Sequence, residues 1–154
     1  MLLLRCTSDN EDFSALVRLL DADLAIRDGE DHAFYHQFNK TAGMDTCLVG
    51  YLEGQPVACG AFKPWSEDAA EVKRMYVLPD MRGRGFAGLV LRELERWAAE
   101  KDYRRCVLET GKQQPEAIAL YEKSGYTRIP NYGQYAGIEN SVCFEKKIQI
   151  QDTL

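Results

Sequence analysis

The spacing of apolar residues changes several times along the chain, and each change marks a predicted element. A run of β-forming residues over Leu2–Cys6 predicts a short strand. Apolar residues then recur three or four positions apart, which predicts a helix capped by Thr7, Ser8 or Asp9. A second helical segment is predicted over Ala33–Phe38, after an acidic turn. The apolar positions of the first helix are Phe13, Leu16, Val17, Leu20 and Leu24.

The middle of the chain carries β-forming residues separated by turn residues. Thr46–Leu52 and Pro56–Lys63 flank a turn at 53–55, which is typical of an antiparallel hairpin. Ala70–Leu78 predicts a third strand of the same meander. The helical period returns over Arg84–Glu100, which predicts an amphipathic helix packed on the sheet. Its apolar face consists of Phe86, Val90, Leu94, Trp97 and Ala98.

In the last third of the chain, segments with the residue pattern of strands alternate with a segment that has the pattern of a helix. Cys106–Glu109 predicts a strand, and Pro115–Lys123 predicts a helix with proline in its first turn. Two more strands are predicted near Tyr126–Ile129 and Ser141–Ile148. The whole order predicts an α/β (α+β) fold, in which helices pack on a mixed sheet of about seven strands.

Composition restricts the class of protein. The 154 residues fit one domain, expected over 1–154. With 24 acidic and 19 basic residues the net charge is −5, so a nucleic-acid partner is not expected. Arg5 interrupts the opening leucines and no long apolar segment follows, which predicts a cytoplasmic protein without a membrane partner. The five cysteines form no CxxC pair and are expected to be reduced and mostly buried.

The most informative segment is Arg82–Gly88, which joins a predicted strand to a predicted helix. Its glycines permit positive φ and a close approach of the backbone to a ligand. The helix N-terminus adds unpaired N–H groups with partial positive charge, and two arginines add charged donors. These features predict a site for a pyrophosphate.

Other interpretations of the same glycines fit less well. Gly83–Gly88 matches the dinucleotide-binding GxGxxG pattern, and Glu109 lies about 20 residues further on, where a ribose ligand would stand. However, residues 79–82 separate the glycines from the strand, and an antiparallel meander precedes them. A kinase loop is excluded because no HRD or DFG follows. A tight turn without a ligand stays open as a third interpretation.

Two motifs together resemble a known family. Arg82–Ala87 matches the pattern [RQ]xxGx[GA], where x is any residue, and it follows Met75–Pro79. Ala117–Tyr126 reads AIALYEKSGY. Both motifs, at this separation, resemble motifs A and B of the GNAT superfamily of N-acetyltransferases, and the predicted element order is similar over nearly the whole chain. Gln114 departs from the pattern, since many members have Asn there.

The resemblance implies a GNAT-like fold, with a mostly antiparallel sheet and about four helices. It also implies acetyl-CoA as co-substrate, with the pyrophosphate on the glycine segment, the pantetheine arm along the preceding strand and no metal. A backbone N–H near Tyr76 or Val77 is expected to meet the oxyanion. The residues expected to contact acetyl-CoA are Met75, Tyr76, Val77, Arg82, Gly83, Arg84, Gly85, Phe86, Ala87, Gly88 and Gln114.

Amine acetylation needs a neutral amine and a protonated leaving thiolate. Tyr121 stands at the motif B tyrosine position, and the resemblance makes it the candidate acid. Glu71, on the strand entering motif A, resembles the position of a general base in some members. The alternatives are a core tyrosine for the first and a solvent-facing strand glutamate for the second.

The acceptor is expected between 28–39 and the loop 130–140. Asp28, Glu30, Asp31 and Glu139 are candidates to attract a cationic amine, although a solvated acidic turn is the favoured explanation of these residues. Metal ligation by Asp28, His32 and His36 is not expected because no HExxH pattern is present. The sequence therefore predicts acetyl transfer from acetyl-CoA to a primary amine of a small molecule or peptide. The alternative is a non-catalytic acyl-CoA-binding module, and a homodimer is compatible with both.

Overall fold

In a computed structural model, residues 1–36 and 43–148 are described. Short 3-10 turns occur at Gly29–Asp31, Pro79–Met81 and Gly133–Tyr135. The strands and α-helices are, in chain order, β1 (Leu2–Cys6), α1 (Glu11–Asp28), α2 (His32–His36), β2 (Thr46–Leu52), β3 (Gln55–Pro64), β4 (Ala69–Val77), α3 (Phe86–Glu100), β5 (Arg105–Gly111), α4 (Pro115–Lys123), β6 (Thr127–Ile129) and β7 (Ser141–Lys147).

The strands form one seven-stranded sheet in the order β1, β2, β3, β4, β5, β7, β6. Neighbouring strands are antiparallel except β4 and β5, which are parallel. The predicted α/β fold with a mostly antiparallel sheet is therefore confirmed. Among the described residues, no helix combines the length and the apolar character needed to cross a membrane.

Two helix starts differ from the prediction. A turn in which the Asn10 N–H donates to the Thr7 carbonyl delays α1, so the cap is Asn10, whose side chain accepts from the Phe13 N–H at 2.9 Å. The helix predicted from Arg84 begins at Phe86, because Gly85 has a φ of 82° and cannot belong to a right-handed helix. The second predicted helix begins at His32, and residues 37 and 38 lie outside the described residues.

Helices cover both faces of the sheet. On one face α3 and α4 pack on the sheet through buried residues such as Val90, Leu94 and Tyr121. On the other face, Phe13, Leu16, Val17 and Leu20 of α1 pack against Cys47, Val49, Cys59 and Ala61 of β2 and β3. This apolar burial on both faces stabilises the sheet, and it leaves the seam between β4 and β5 as the place where the layers separate.

The two parallel strands β4 and β5 separate after a short contact. Their pairing ends where Glu71 lies opposite Val107, although β4 continues to Val77 and β5 to Gly111. Between Lys73 and Tyr76, β4 contains one residue more than β3, and Arg74 in this bulge has a φ of 62°. The bulge and the divergence open a wedge in the sheet, and backbone groups of β4 that point toward β5 beyond Glu71 face this wedge.

Candidate active site

A cavity of about 350 Å³ occupies the wedge between β4 and β5 and extends to α1 on one face and α4 on the other. It brings together residues that the sequence analysis placed in three separate segments of the chain. The predicted site residues that line it are Glu71, Met75, Tyr76, Val77, Arg82, Gly83, Gly85, Phe86, Ala87, Gly88, Gln114 and Tyr121. Arg84 differs from the prediction, because its side chain is exposed and does not line the cavity.

The glycine segment ends in the N-terminus of α3, at one side of the cavity. Gly83 and Gly85 have φ angles of 81° and 82°, which disfavour any residue with a Cβ atom. No side chain caps the helix at Gly85, so its first backbone N–H groups are available to a ligand. An added Cβ at either glycine would meet nothing within 4 Å, so the backbone borders open space. This geometry fits an anion held by backbone N–H groups.

Arg82 connects this segment to the end of β4. Its Nε donates a hydrogen bond to the Val77 carbonyl at 3.0 Å, and its guanidinium lies 5.5 Å from the centre of the Tyr76 ring. The side chain therefore holds the loop against β4 and places a positive charge at the cavity wall. Of the two predicted arginine donors, Arg82 is the one that lines the cavity.

Tyr121 lies on α4, with Ala117 one turn before it and the N-cap residue Gln114 two turns before it, and all three line the cavity. Its side chain is buried, and its ring lies 5.8 Å from that of Tyr126. Burial raises the pKa of Tyr121, and the charge of Glu109 adds to this effect. The hydroxyl thus stays protonated at neutral pH, as a proton donor requires.

Glu71 is 1% exposed, so it is not the solvent-facing strand glutamate of the alternative interpretation. Because its neighbours Ala70 and Val72 point into the core beneath α3, its own side chain points to the face covered by α1. The Tyr132 hydroxyl donates to Oε2 at 2.6 Å, whereas Oε1 accepts no hydrogen bond from residues 1–36 or 43–148. The Lys63 and Lys73 ammonium groups lie 3.8 and 3.9 Å from Oε1.

Glu109 is a cavity residue that the sequence analysis considered only as a ribose ligand of a dinucleotide fold. It lies on β5, on the same face as Glu71, and the Ser141 hydroxyl donates to its Oε2 at 2.7 Å. The Tyr35 hydroxyl is 2.8 Å from the same Ser141 oxygen. Burial raises the pKa of Glu109 to about 7, and the Ser141 hydrogen bond opposes that increase. A carboxyl group with such a pKa can exchange protons near neutrality.

Lys73 is the second titratable residue that the sequence analysis missed. It is 9% exposed, it lines the cavity, and its Nζ donates to the Tyr135 hydroxyl at 3.4 Å. Burial lowers the pKa of Lys73, while the charge of Glu71 raises it. The sequence of β4 did contain an indication of both residues. Glu71 and Lys73 are two positions apart and alternate with core residues, so their side chains lie on the same face of the strand.

The predicted acidic wall is only partly present. Asp28 lines the cavity and burial raises its pKa, whereas Glu30, Asp31 and Glu139 are exposed outside it. Residues 37–39 of the predicted wall lie outside the described residues. The described part of the chain contains no cluster of three or more metal-ligating side chains. Four of the five cysteines are buried, as expected.

Known proteins resemble this chain in sequence and in fold. Residues 13–126 match the model of the acetyltransferase (GNAT) family. The uncharacterised N-acetyltransferase YjgM of Escherichia coli is 42% identical, with 79% of this chain and 78% of that protein covered. The candidate acyl-CoA N-acyltransferase of Klebsiella pneumoniae has a TM-score of 0.80 and 27% identity, covering 96% and 97% of the two chains. A GNAT acetyltransferase of Elizabethkingia anophelis with acetyl-CoA bound has a TM-score of 0.67 and 15% identity, covering 96% and 97%.

Proposed function

The chain belongs to the acetyltransferase (GNAT) family and is an acyltransferase, and on this premise we propose that it transfers the acetyl group of acetyl-CoA to a primary amine by direct attack. The observation that carries the proposal is that one cavity contains an anion-binding loop, a protonated tyrosine and buried carboxylates. The acetyl-CoA bound to the similar Elizabethkingia protein supports the choice of donor. The described residues form one sheet, which supports the proposal of a single domain over 1–154.

The residues of the glycine segment fit the donor. Backbone N–H groups at 83–88 and the N-terminus of α3 would hold the pyrophosphate, and Gln114 would offer an amide beside it. Met75, Tyr76 and Val77 would contact the pantetheine arm from β4. When bound, acetyl-CoA supplies an activated carbonyl carbon and a thiolate leaving group. The residues of the chain then have to move two protons and stabilise one oxyanion.

Glu109 is the proposed general base. Glu109, with a pKa of about 7, accepts one proton from the bound ammonium, so that a neutral amine attacks the carbonyl carbon. The nitrogen loses a second proton as the carbon–sulfur bond breaks, and the leaving sulfur gains one. Tyr121 is the proposed donor of the proton that the leaving sulfur gains, because its protonated hydroxyl lines the cavity, and the second proton of the nitrogen restores that hydroxyl. A β4 backbone N–H near Tyr76 or Val77 would stabilise the oxyanion. Glu71, predicted as the base from sequence, is proposed to hold the incoming amine beside Glu109.

Calorimetric titration with acetyl-CoA, CoA and NAD, followed by thiol release over a panel of amines, tests this function. We expect acetyl-CoA and CoA to bind, NAD not to bind, and thiol release to depend on the amine. Acetyl-CoA binding with no release over the panel would favour the non-catalytic acyl-CoA-binding alternative. Absence of binding by any CoA species would contradict the proposed donor.

A further inference from the structure

The part of the cavity proposed to hold the amine contains an ion pair whose charged atoms lie too far apart for a hydrogen bond. The Lys73 ammonium and Oε1 of Glu71 are 3.9 Å apart, beyond hydrogen-bond distance, and both side chains are buried. Glu109 lies close enough that the charges of Lys73 and Glu71 both act on its pKa. The cavity wall therefore carries a lysine together with two carboxyl groups and is not simply acidic.

Oε1 of Glu71 is buried, and no group in the described part of the chain donates a hydrogen bond to it. Leaving a buried acceptor unsatisfied is unfavourable, and most such atoms in folded proteins have a partner. The neighbouring lysines approach it only to 3.8 and 3.9 Å. Glu71 lines the cavity, and a charged donor such as an ammonium group forms a stronger hydrogen bond with a carboxylate than a neutral donor does.

The two lysines near Glu71 differ in what they can contact. Lys73 lines the cavity, whereas Lys63 has a 42% exposed side chain and does not line it. Across the β4 bulge, Lys73 lies on the same face as Tyr76, because they pair with Ala61 and Cys59, two positions apart on β3. Lys73 is thus the cation that a molecule in the cavity meets next to Glu71.

We propose that the acceptor is a free α-amino acid, whose ammonium donates to Oε1 of Glu71 and whose carboxylate is bound by the Lys73 ammonium. The two charged groups of an α-amino acid are attached to one carbon, so they suit two opposite charges that are 3.9 Å apart. The amine is then held on the face that also carries Glu109. A peptide N-terminus or a simple alkylamine has no carboxylate at this position and leaves Lys73 without its ligand.

This inference rests on the proposed function for the position of the amine, but it can be tested without turnover. The full chain, saturated with CoA, is titrated calorimetrically with matched sets: phenylalanine, phenylalaninamide and phenethylamine, then leucine, leucinamide and isopentylamine. We expect the amino acid of at least one set to bind about 10- to 100-fold more tightly than its amide and amine, as a hydrogen-bonded charge pair predicts. Thiol release with acetyl-CoA should follow the same order.

Two lysine variants identify the partner of the carboxylate. Lys73→Met should abolish the preference for the amino acid over its amine, whereas Lys63→Met, which removes a charge equally close to Glu71, should keep it. CoA affinity serves as the folding control for both. Equal binding of amino acid and amine, or a preference that survives in Lys73→Met, would overturn the inference. Acetylation of amines without a preference for the amino acid would overturn this inference but leave the proposed function intact. Binding of the amino acid without its acetylation would refute the proposed acetyl transfer but not the binding mode.

Discussion

The glycine loop at 82–88 and the charged cluster of Glu71, Lys73 and Glu109 lie in one cavity, but the chain builds them differently. The loop is contiguous, and the groups proposed to bind the donor are backbone N–H groups of a segment with positive φ angles at Gly83 and Gly85. The cluster takes its side chains from β4 and β5, and residues of β7 and of the loop before β7 hold them in place. One site is thus encoded locally, and the other exists only after the sheet has formed.

The difference predicts how each site fails. In the loop, one residue that cannot adopt its φ or that blocks the N–H groups removes the whole anion site. In the cluster, each side chain contributes a charge or a hydrogen bond that its neighbours partly compensate. We therefore expect all-or-none effects on donor binding from the loop and graded effects on rate and pH dependence from the cluster.

The largest effect is expected from Gly85→Glu. The new carboxylate would lie at the N-terminus of α3, where it repels a pyrophosphate, and its Cβ would strain the backbone at a φ of 82°. Acetyl-CoA binding should fall below detection in a calorimetric titration, while circular dichroism shows a folded protein.

Gly54→Glu is the matched control for this variant. Gly54 has the same φ of 82° and nothing within 4 Å of an added Cβ, but it lies in the turn between β2 and β3, away from the cavity. The strain of about 1–2 kcal/mol should be similar, and acetyl-CoA affinity should be unchanged. Equal loss of affinity in both variants would show that strain, and not the anion site, explains the result.

Glu109→Gln should lower kcat by about 10³-fold, because the amide cannot accept the proton of the amine. Acetyl-CoA affinity should change little, which separates this cluster residue from the loop. The wild-type rate should rise with pH through about 7, where Glu109 ionises. This rise is the acidic limb of the pH–rate profile, and it should be absent in the variant. The charged form of Glu109 is buried, so the stability of the wild-type protein falls as pH rises from the unfolded pKa of this carboxyl group to about 7. The uncharged variant should therefore unfold at a higher temperature than wild type at pH 8.

Glu95→Gln provides the comparison for Glu109→Gln. Glu95 is also buried, but it bonds to Tyr126 and Lys146 outside the cavity. Its replacement should reduce stability with little effect on kcat. A normal kcat and an unchanged acidic limb in Glu109→Gln would remove Glu109 from the mechanism and return the base to Glu71.

Tyr121→Phe should reduce kcat by about 10²-fold with nearly normal acetyl-CoA affinity, because the ring that fills the core is kept and only the proton donor is lost. Tyr126→Phe is the control, since Tyr126 belongs to the same aromatic cluster but donates to Glu95 and does not line the cavity. Steady-state rates at several pH values measure both. Equal rates in Tyr121→Phe and wild type would assign Tyr121 to the core alone.

The same contrast explains what the sequence could predict. The strands, the main helices and the loop could be predicted from the spacing of apolar residues and from motifs within short segments. The observed elements differ from the predicted ones mainly at their ends, such as the start of α3 at Phe86. Tyr121 and Gln114 were found through a contiguous motif on one helix face. Lys73 had only the alternation on β4 as a local indication and Glu109 had no motif of this fold, because their surroundings depend on the pairing of β5 with β7 and on the separation of β4 from β5.

The smallest effect is expected from Ser141→Ala, which tests how the cluster is tuned. Ser141 donates to the Glu109 carboxylate and so stabilises its charged form, which lowers the pKa of Glu109 against the effect of burial. Loss of the hydroxyl should raise that pKa further, by up to about one unit. The acidic limb of the rate profile should move to higher pH, so the rate falls several-fold at pH 7 and approaches the wild-type rate at pH 9.

Tyr35→Phe extends this prediction by one hydrogen bond. While Ser141 donates its proton to Glu109, Tyr35 must be the donor in their 2.8 Å contact, and this bond polarises the serine hydroxyl. The acidic limb should therefore move in the same direction as in Ser141→Ala but by less. An unchanged limb in Ser141→Ala would mean that the Ser141 hydrogen bond does not tune Glu109, and that burial and the neighbouring charges set its pKa.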